Sequence, residues 1–163
     1  VHDSSSVTYP VFTAIAAPEV QNKLNGDFAI IAGPYLQNLA TGGCELDYTL
    51  TFVSEKFISM VFFGVLDEGE KEIFAKIPLN IDVQTGAQLA LGDVLNLRDA
   101  DLLPVLRLLT KKDMVDFSKG IPESWYYNGT NFVFCQRSET GEWLEATVAA
   151  SDLKKFLLKP ELF

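Results

Sequence analysis

ELDYTLTFVSEKFISMVFFGVLDEGEKEIFAKIPLNIDV, Glu45 to Val83, holds three apolar-rich runs separated by two polar turns, and the period of each run decides the fold. The first run alternates, with Leu46, Tyr48, Leu50 and Phe52 on one face and Asp47, Thr49 and Thr51 on the other. That is the pattern of a half-buried strand. Ser54-Glu55-Lys56 turns the chain into FISMVFFGVL, which is apolar on both faces and reads as an inner strand. The acidic DEGEKE makes a second turn, after which Ile73, Ala75, Ile77, Leu79, Ile81 and Val83 share one side. Successive strands with short links predict an antiparallel meander.

Upstream, VTYPVFTAI reads as a short strand that Pro10 keeps at an edge or irregular. From Pro18 the period changes. Val20, Leu24, Phe28, Ile31, Tyr35 and Leu39 recur every three or four residues, one stripe of a helix, with Pro18 in its first turn. Gly33-Pro34 is expected to kink or split this helix, and Gly42-Gly43 to end it. Downstream, RDADLLPVLRLL is helical, with Leu102, Val105, Leu106 and Leu109 on one face and Asp99 or Asp101 as cap. SWYYN and NFVFCQR flank Asn128-Gly129-Thr130, a tight hairpin signal and also an N-glycosylation sequon. EWLEATVAA adds a strand; Ser151 is expected to cap a helix DLKKFLLK that Pro160 stops.

Between these parts lies NIDVQTGAQLALGDVL, Asn80 to Leu95, whose aspartates beside glycine raise the question of a ligand loop. Asp82 is followed at calcium-loop spacing by Gln84 and then Gly86, so the oxygen ligands are not there. Nor does the stretch carry the lysine and the strand-glycine-helix order of a phosphate loop. It reads as strand, a turn at Gln84-Thr85-Gly86-Ala87 with Gly86 at positive φ, and a short helical turn capped by Asp93.

The 163 residues, 48% of them hydrophobic, suit one domain able to bury roughly two thirds of the surface its unfolded chain exposes. Residues 1–6 are expected to be a flexible start and 7–163 the single domain. With 13 Lys+Arg against 22 Asp+Glu and a formal charge of −9, no basic block offers itself to successive phosphates, so nucleic acid is a poor partner. The longest apolar run, Ile58 to Leu66, is too short to cross a bilayer, so no membrane span is expected. The chain begins at Val1 with the polar VHDSSS and no initiator Met, so an export signal or anchor removed from upstream is the expectation.

The single histidine is His2, which removes the usual base for a serine or cysteine nucleophile. Two cysteines and one terminal histidine also do not furnish a zinc site of ordinary composition, and no cofactor is implied. Cys44 and Cys135 either pair as a disulfide, closing a loop of about 90 residues for about 4 kcal/mol, or stay as two buried thiols. Carboxylates crowd at Asp67, Glu68, Glu70 and Glu72; a solvated turn explains them better than a calcium or acid/base site. Exposed aromatic residues are the remaining binding signal: Trp125, Tyr126 and Tyr127 before the Asn-Gly turn, and Trp143 opening the next strand. A glycan or protein could stack there, although consecutive aromatics in a strand more commonly serve the core.

The order of TYPVF, the helix EVQNKLNGDF, FISMVFFGV, NIDVQTGAQLALGDVL and the closing WYYNGTNFVF with DLKKFL resembles the RsiV-like domains. These domains of unknown function occur in extracytoplasmic parts of bacterial anti-sigma factors and beside PdaC-type deacetylase domains. The middle segment is the most specific, matching the family's strand, Thr-Gly turn and L-x-L-x-D-hydrophobic run. Where relatives often carry a Gly-Gly-Ala-His type turn, this chain has DEGEKE, and the acidic-aromatic segment after the last hairpin is replaced by CQRSETGEW. The resemblance therefore implies fold and setting, and no functional residue.

The expected fold is α+β, a mainly antiparallel sheet packed on one face by the long N-terminal helix and the helix near Leu102 to Leu109. The resemblance, the acidic composition and the missing catalytic constellations together imply a non-catalytic extracytoplasmic binding or sensing domain at the bacterial cell envelope. Its partners would be cell-wall glycan or an envelope protein. The alternatives are a carboxylate-based enzyme acting on cell-wall glycan, tested at Asp67 and Glu70, and a structural accessory domain of a larger envelope protein.

Overall fold

The meander is the centre of the molecule in the computed structural model, which describes residues 5–13, 17–40, 42–67, 71–111 and 113–163. Strands β2 (Cys44–Val53), β3 (Phe57–Asp67) and β4 (Glu72–Asp82) pair antiparallel in sequence order. A short β1 (Ser6–Val7) adds in parallel beside β2, and β5 (Ala87–Gln88) closes the other edge as a hairpin with β4. The fold is α+β as expected, with a curled, mainly antiparallel five-stranded sheet and the long helix α1 (Pro18–Asn38) against it.

Helix α1 lays Leu24, Phe28, Ala32 and Tyr35 on the sheet, where they meet Leu46, Met60, Phe62 and Ile81 in the first core. Pro34 neither splits nor ends the helix. It is exposed, so the carbonyl that lacks its N–H partner faces solvent rather than the core. Tyr35 approaches β3 closely because Gly64 has no side chain: a Cβ there would sit 2.0 Å from the Tyr35 hydroxyl.

The remaining strands form a second sheet, a division that alternation alone did not signal. It comprises β6 (Ser124–Tyr127), β7 (Asn131–Arg137) and β8 (Trp143–Ala149), all antiparallel. The helix near Leu102, labelled α3 (Leu102–Leu109) after the one-turn α2 (Leu91–Val94), belongs with this sheet and not beside α1. Its Leu102 and Leu106 join Val94, Phe117, Trp125, Phe132, Phe134 and Phe156 in a second core. Leu109, expected on its inner face, is 42% exposed.

Several local expectations change for tertiary reasons. A bulge at Thr51 shifts the register between Leu50 and Phe52, turning Phe52 away from α1 toward Tyr127, whose ring centroid is 5.0 Å away. The Asn128-Gly129-Thr130 link is a three-residue loop in which Asn128 keeps negative φ, and its Oδ1 accepts from the N–H groups of Thr130 (3.2 Å) and Asn131 (2.8 Å). Residues Ala150–Phe156 form a 3-10 helix with no side-chain cap from Ser151, and at its C-terminal end Asn96 N–H donates to Phe156 O and Leu158 N–H to Val94 O. Pro160 opens a further 3-10 turn instead of ending a helix. Asp99 and Asp101 do not cap α3 through their side chains: Asp99 Oδ1 accepts from Asp101 N–H, and Asp101 pairs with Lys155. Of the residues expected as a flexible start, Ser6 is in β1 and Ser5 Oγ accepts from Cys44 N–H, while residues 1–4 lie outside the described residues.

The Asn80 to Leu95 stretch is a hairpin. Asp82 Oδ1 accepts from the N–H groups of Gln84 and Thr85, Gly86 has φ +67°, and Asp93 reaches back to accept from Ala90 N–H at 2.8 Å. A Cβ at Gly86 would also lie 3.1 Å from Val20 of α1. Gly86→Ala is therefore expected to cost about 1 kcal/mol or more, from positive φ plus crowding, read as a lower urea midpoint at unchanged m.

Candidate functional site

The five-stranded sheet has two faces, one packed against α1 over most of its length. Even-numbered residues of β2 before the bulge and of β3, and odd-numbered residues of β4, point to the α1 side. The opposite set is covered at one end, where β6 lies against β3 and β4, and open at the other. Register arranges the open end as two cross-strand rows: Asp47, Phe63 and Lys76 in one, Glu45, Val65 and Phe74 in the next. They floor a groove of about 480 Å³, walled by Trp143 from β8. Phe63 and Phe74 are 45% and 52% exposed.

At the end of this groove the two sheets meet through a polar cluster. Lys76 Nζ is ion-paired with Glu145 of β8 and lies 5.6 Å and 5.5 Å from the ring centroids of Phe63 and Tyr126. The Tyr126 hydroxyl donates to Glu145 Oε1 at 2.9 Å, and the Cys135 thiol is 3.9 Å from the same oxygen. Lys76 is thus held by one carboxylate and two ring faces, with its side chain only 12% exposed. Burial pushes the Cys135 thiol up to about 12, Lys76 pulling down and Glu145 pushing further up. Burial and the hydrogen bond to Glu145 likewise raise the Tyr126 phenol.

Both shifts favour the neutral acid in the folded state. Their stabilisation is therefore complete below the unfolded values, 9.0 for the thiol and 10.0 for the phenol, and is lost as pH rises through the folded ones. The melting temperature should fall as pH rises from about 9 toward 12, and less steeply in Tyr126→Phe.

The aromatic residues singled out in the sequence are separated. Trp125 and Tyr127 point into the second core, 2% and 4% exposed, and offer no stacking surface; Tyr126 serves the Lys76 cluster, and Trp143 walls the groove. Asp67 and Glu72 face each other across the β3–β4 register, while Glu68 and Glu70 lie outside the described residues, as does His2. The two cysteines are not bridged: both are free and buried, Cys44 donating to Tyr35 O in the first core and Cys135 standing on the second sheet. Unfolded, unreduced protein should therefore titrate two thiols, and folded protein at neutral pH neither. Among the described residues, no three His, Cys, Asp or Glu gather in a way that would hold a metal ion.

Glu45, Asp47, Phe63, Phe74 and Lys76 were missed as site residues. Phe63 was hidden in a run that is apolar on both faces. The available signal was Lys76, a cation at an even position of a strand whose odd positions are apolar.

No protein-family model and no curated protein sequence matches the chain. Among solved structures it is similar to a DUF3298 family protein from Pseudomonas aeruginosa PAO1, with TM-score 0.60 and 13% identity over 89% of this chain and 83% of that one. It is also similar to a member of the DUF3298 family from Bacteroides fragilis NCTC 9343, with TM-score 0.54 and 13% identity over 85% of this chain and 65% of that one. No helix among the described residues is long and apolar enough to cross a membrane. At this identity the likeness to these DUF3298 proteins is one of fold.

Proposed function

We propose that this chain is a non-catalytic, extracytoplasmic binding or sensing domain of the bacterial cell envelope, of the RsiV-like and PdaC-associated kind, and that it binds envelope glycan on the open face of the five-stranded sheet. The observation that carries the reading is the half-exposure of Phe63 and Phe74 on that face. Two phenyl rings left in water cost free energy that core packing would have recovered, and the carboxylates of Asp47 and Glu45 on β2 border the same groove as hydroxyl acceptors. Aromatic faces with flanking acceptors suit a sugar ring, whose C–H face is apolar and whose rim is polar.

The test is retention of the protein on purified cell-wall glycan, comparing wild type with Phe63→Ala/Phe74→Ala. Both rings are half-exposed, so the variant should fold while binding falls tenfold or more. Undiminished retention of the double variant would remove the groove from the proposal.

A further inference from the structure

We infer that the groove selects an ammonium-bearing sugar, a hexosamine with a free amine, over its N-acetylated or neutral counterparts. The inference rests on the glycan-binding reading above and narrows its ligand. It starts from the charges lining the groove.

Glu45 and Asp47 are both exposed, stand two residues apart on β2 about 7 Å from each other, and point to the same face. Among the described residues neither has a cationic partner; the bond that Asp47 Oδ1 accepts from Tyr48 N–H leaves Oδ2 unengaged. The one cation of the groove, Lys76, is already neutralised by Glu145 and enclosed between the rings of Phe63 and Tyr126. The accessible lining therefore carries two uncompensated negative charges.

These charges sit beside apolar surface. Each row sets a carboxylate on β2 next to an aliphatic or aromatic side chain on β3, Asp47 beside Phe63 and Glu45 beside Val65, with Phe74 continuing the second row on β4. A ligand lying flat on the two phenyl rings brings its rim, not its face, to the carboxylates. A pyranose carries its amine directly on a ring carbon, so ring stacking and ammonium–carboxylate pairing are made together without ordering a flexible stem. A lysine side chain reaches the carboxylates only by freezing four methylenes, and brings no ring to Phe63 and Phe74. Acidic sugars are repelled, and acetylation removes the charge that the carboxylates complement.

The experiment titrates the protein with a glucosamine trimer, its fully N-acetylated form, a neutral glucose trimer and trilysine, by calorimetry and tryptophan fluorescence. Trp143 in the groove wall is the reporter, and Trp125, buried in the second core, is silent. The glucosamine trimer should bind at least tenfold more tightly than the other three. In Glu45→Gln/Asp47→Asn the preference for the glucosamine trimer over the other three should vanish; both positions are exposed, so folding is preserved. Equal or tighter binding of the N-acetylated or neutral trimer by wild type would overturn the amine selectivity and leave glycan binding standing. Trilysine binding as tightly as the glucosamine trimer would overturn it as well, showing charge without sugar recognition. Failure of all three sugars to bind would overturn both readings.

Discussion

Phe57→Ala is expected to lower the unfolding free energy by about 4 kcal/mol, the upper range for a buried phenylalanine, against a total of about 5–15 kcal/mol for ordinary domains. Phe57 is fully buried at the start of β3. Its ring stacks on Trp125 at 6.3 Å and 14°, meets Phe163 edge-on at 5.4 Å, and lies 5.9 Å from Phe52. It is thus a residue of the five-stranded sheet whose side chain is spent in the second core. The cavity left by truncation would be lined by rings locked by other rings, Phe132 and Phe163 at 4.7 Å among them, so little collapse should relieve it. Urea denaturation followed by tryptophan fluorescence and circular dichroism reads the loss.

The same variant tests the proposal that residues 7–163 form a single domain. Phe28 is equally buried but lies in the first core. If both sheets unfold as one unit, Phe57→Ala and Phe28→Ala each move one transition seen identically by both probes; two separated midpoints would refute a single cooperative domain.

Asn80→Ala comes second, at about 3 kcal/mol. Strand β6 is an edge of its sheet, so alternate backbone groups have no strand partner on the outer side. Those of Trp125 and Tyr127 are satisfied by side chains of the other sheet. Asn80 Nδ2 donates to Trp125 O at 2.7 Å, Tyr127 N–H donates to Ser59 Oγ at 2.8 Å, and Ser59 Oγ donates to Asn80 Oδ1 at 2.7 Å. Ser59 and Asn80 are 0% and 4% exposed, so water does not readily replace what is removed. Alanine at 80 would leave the buried Trp125 carbonyl without this donor and the Ser59 hydroxyl proton without its acceptor, each at about 1–3 kcal/mol. Ser59→Ala should cost a comparable amount, since it removes the acceptor of Tyr127 N–H and the donor to Asn80 Oδ1. An Asn80→Ala loss under 1 kcal/mol in the same urea experiment would mean that the bridge is dispensable.

Asn80 also shows where sequence reading stops. Its neighbours placed it at the end of a strand, and the following Gly86 turn and Asp93 turn were legible because each depends on residues within four positions. Its own role was not legible, since its partners lie 21 and 45 residues away. The groove behaves alike. Asp47 was readable as facing away from the α1 side, but Phe63 in an all-apolar strand looked buried on both faces. Its exposure arises because the second sheet covers only one end of the first.

The elements were legible from local pattern: the period of two in Glu45 to Val83, the period near 3.6 from Pro18, and the glycine and asparagine turns that set the meander and the hairpins. These are decided by local sterics and by which face of each element is apolar. Long-range packing divides the strands into two sheets with two cores, sends Trp125 and Tyr127 inward while Trp143 walls a groove, and neutralises Lys76 but not Glu45 and Asp47. Those outcomes depend on which side chains of distant segments fill the same space and satisfy one another's hydrogen bonds. No local period encodes that.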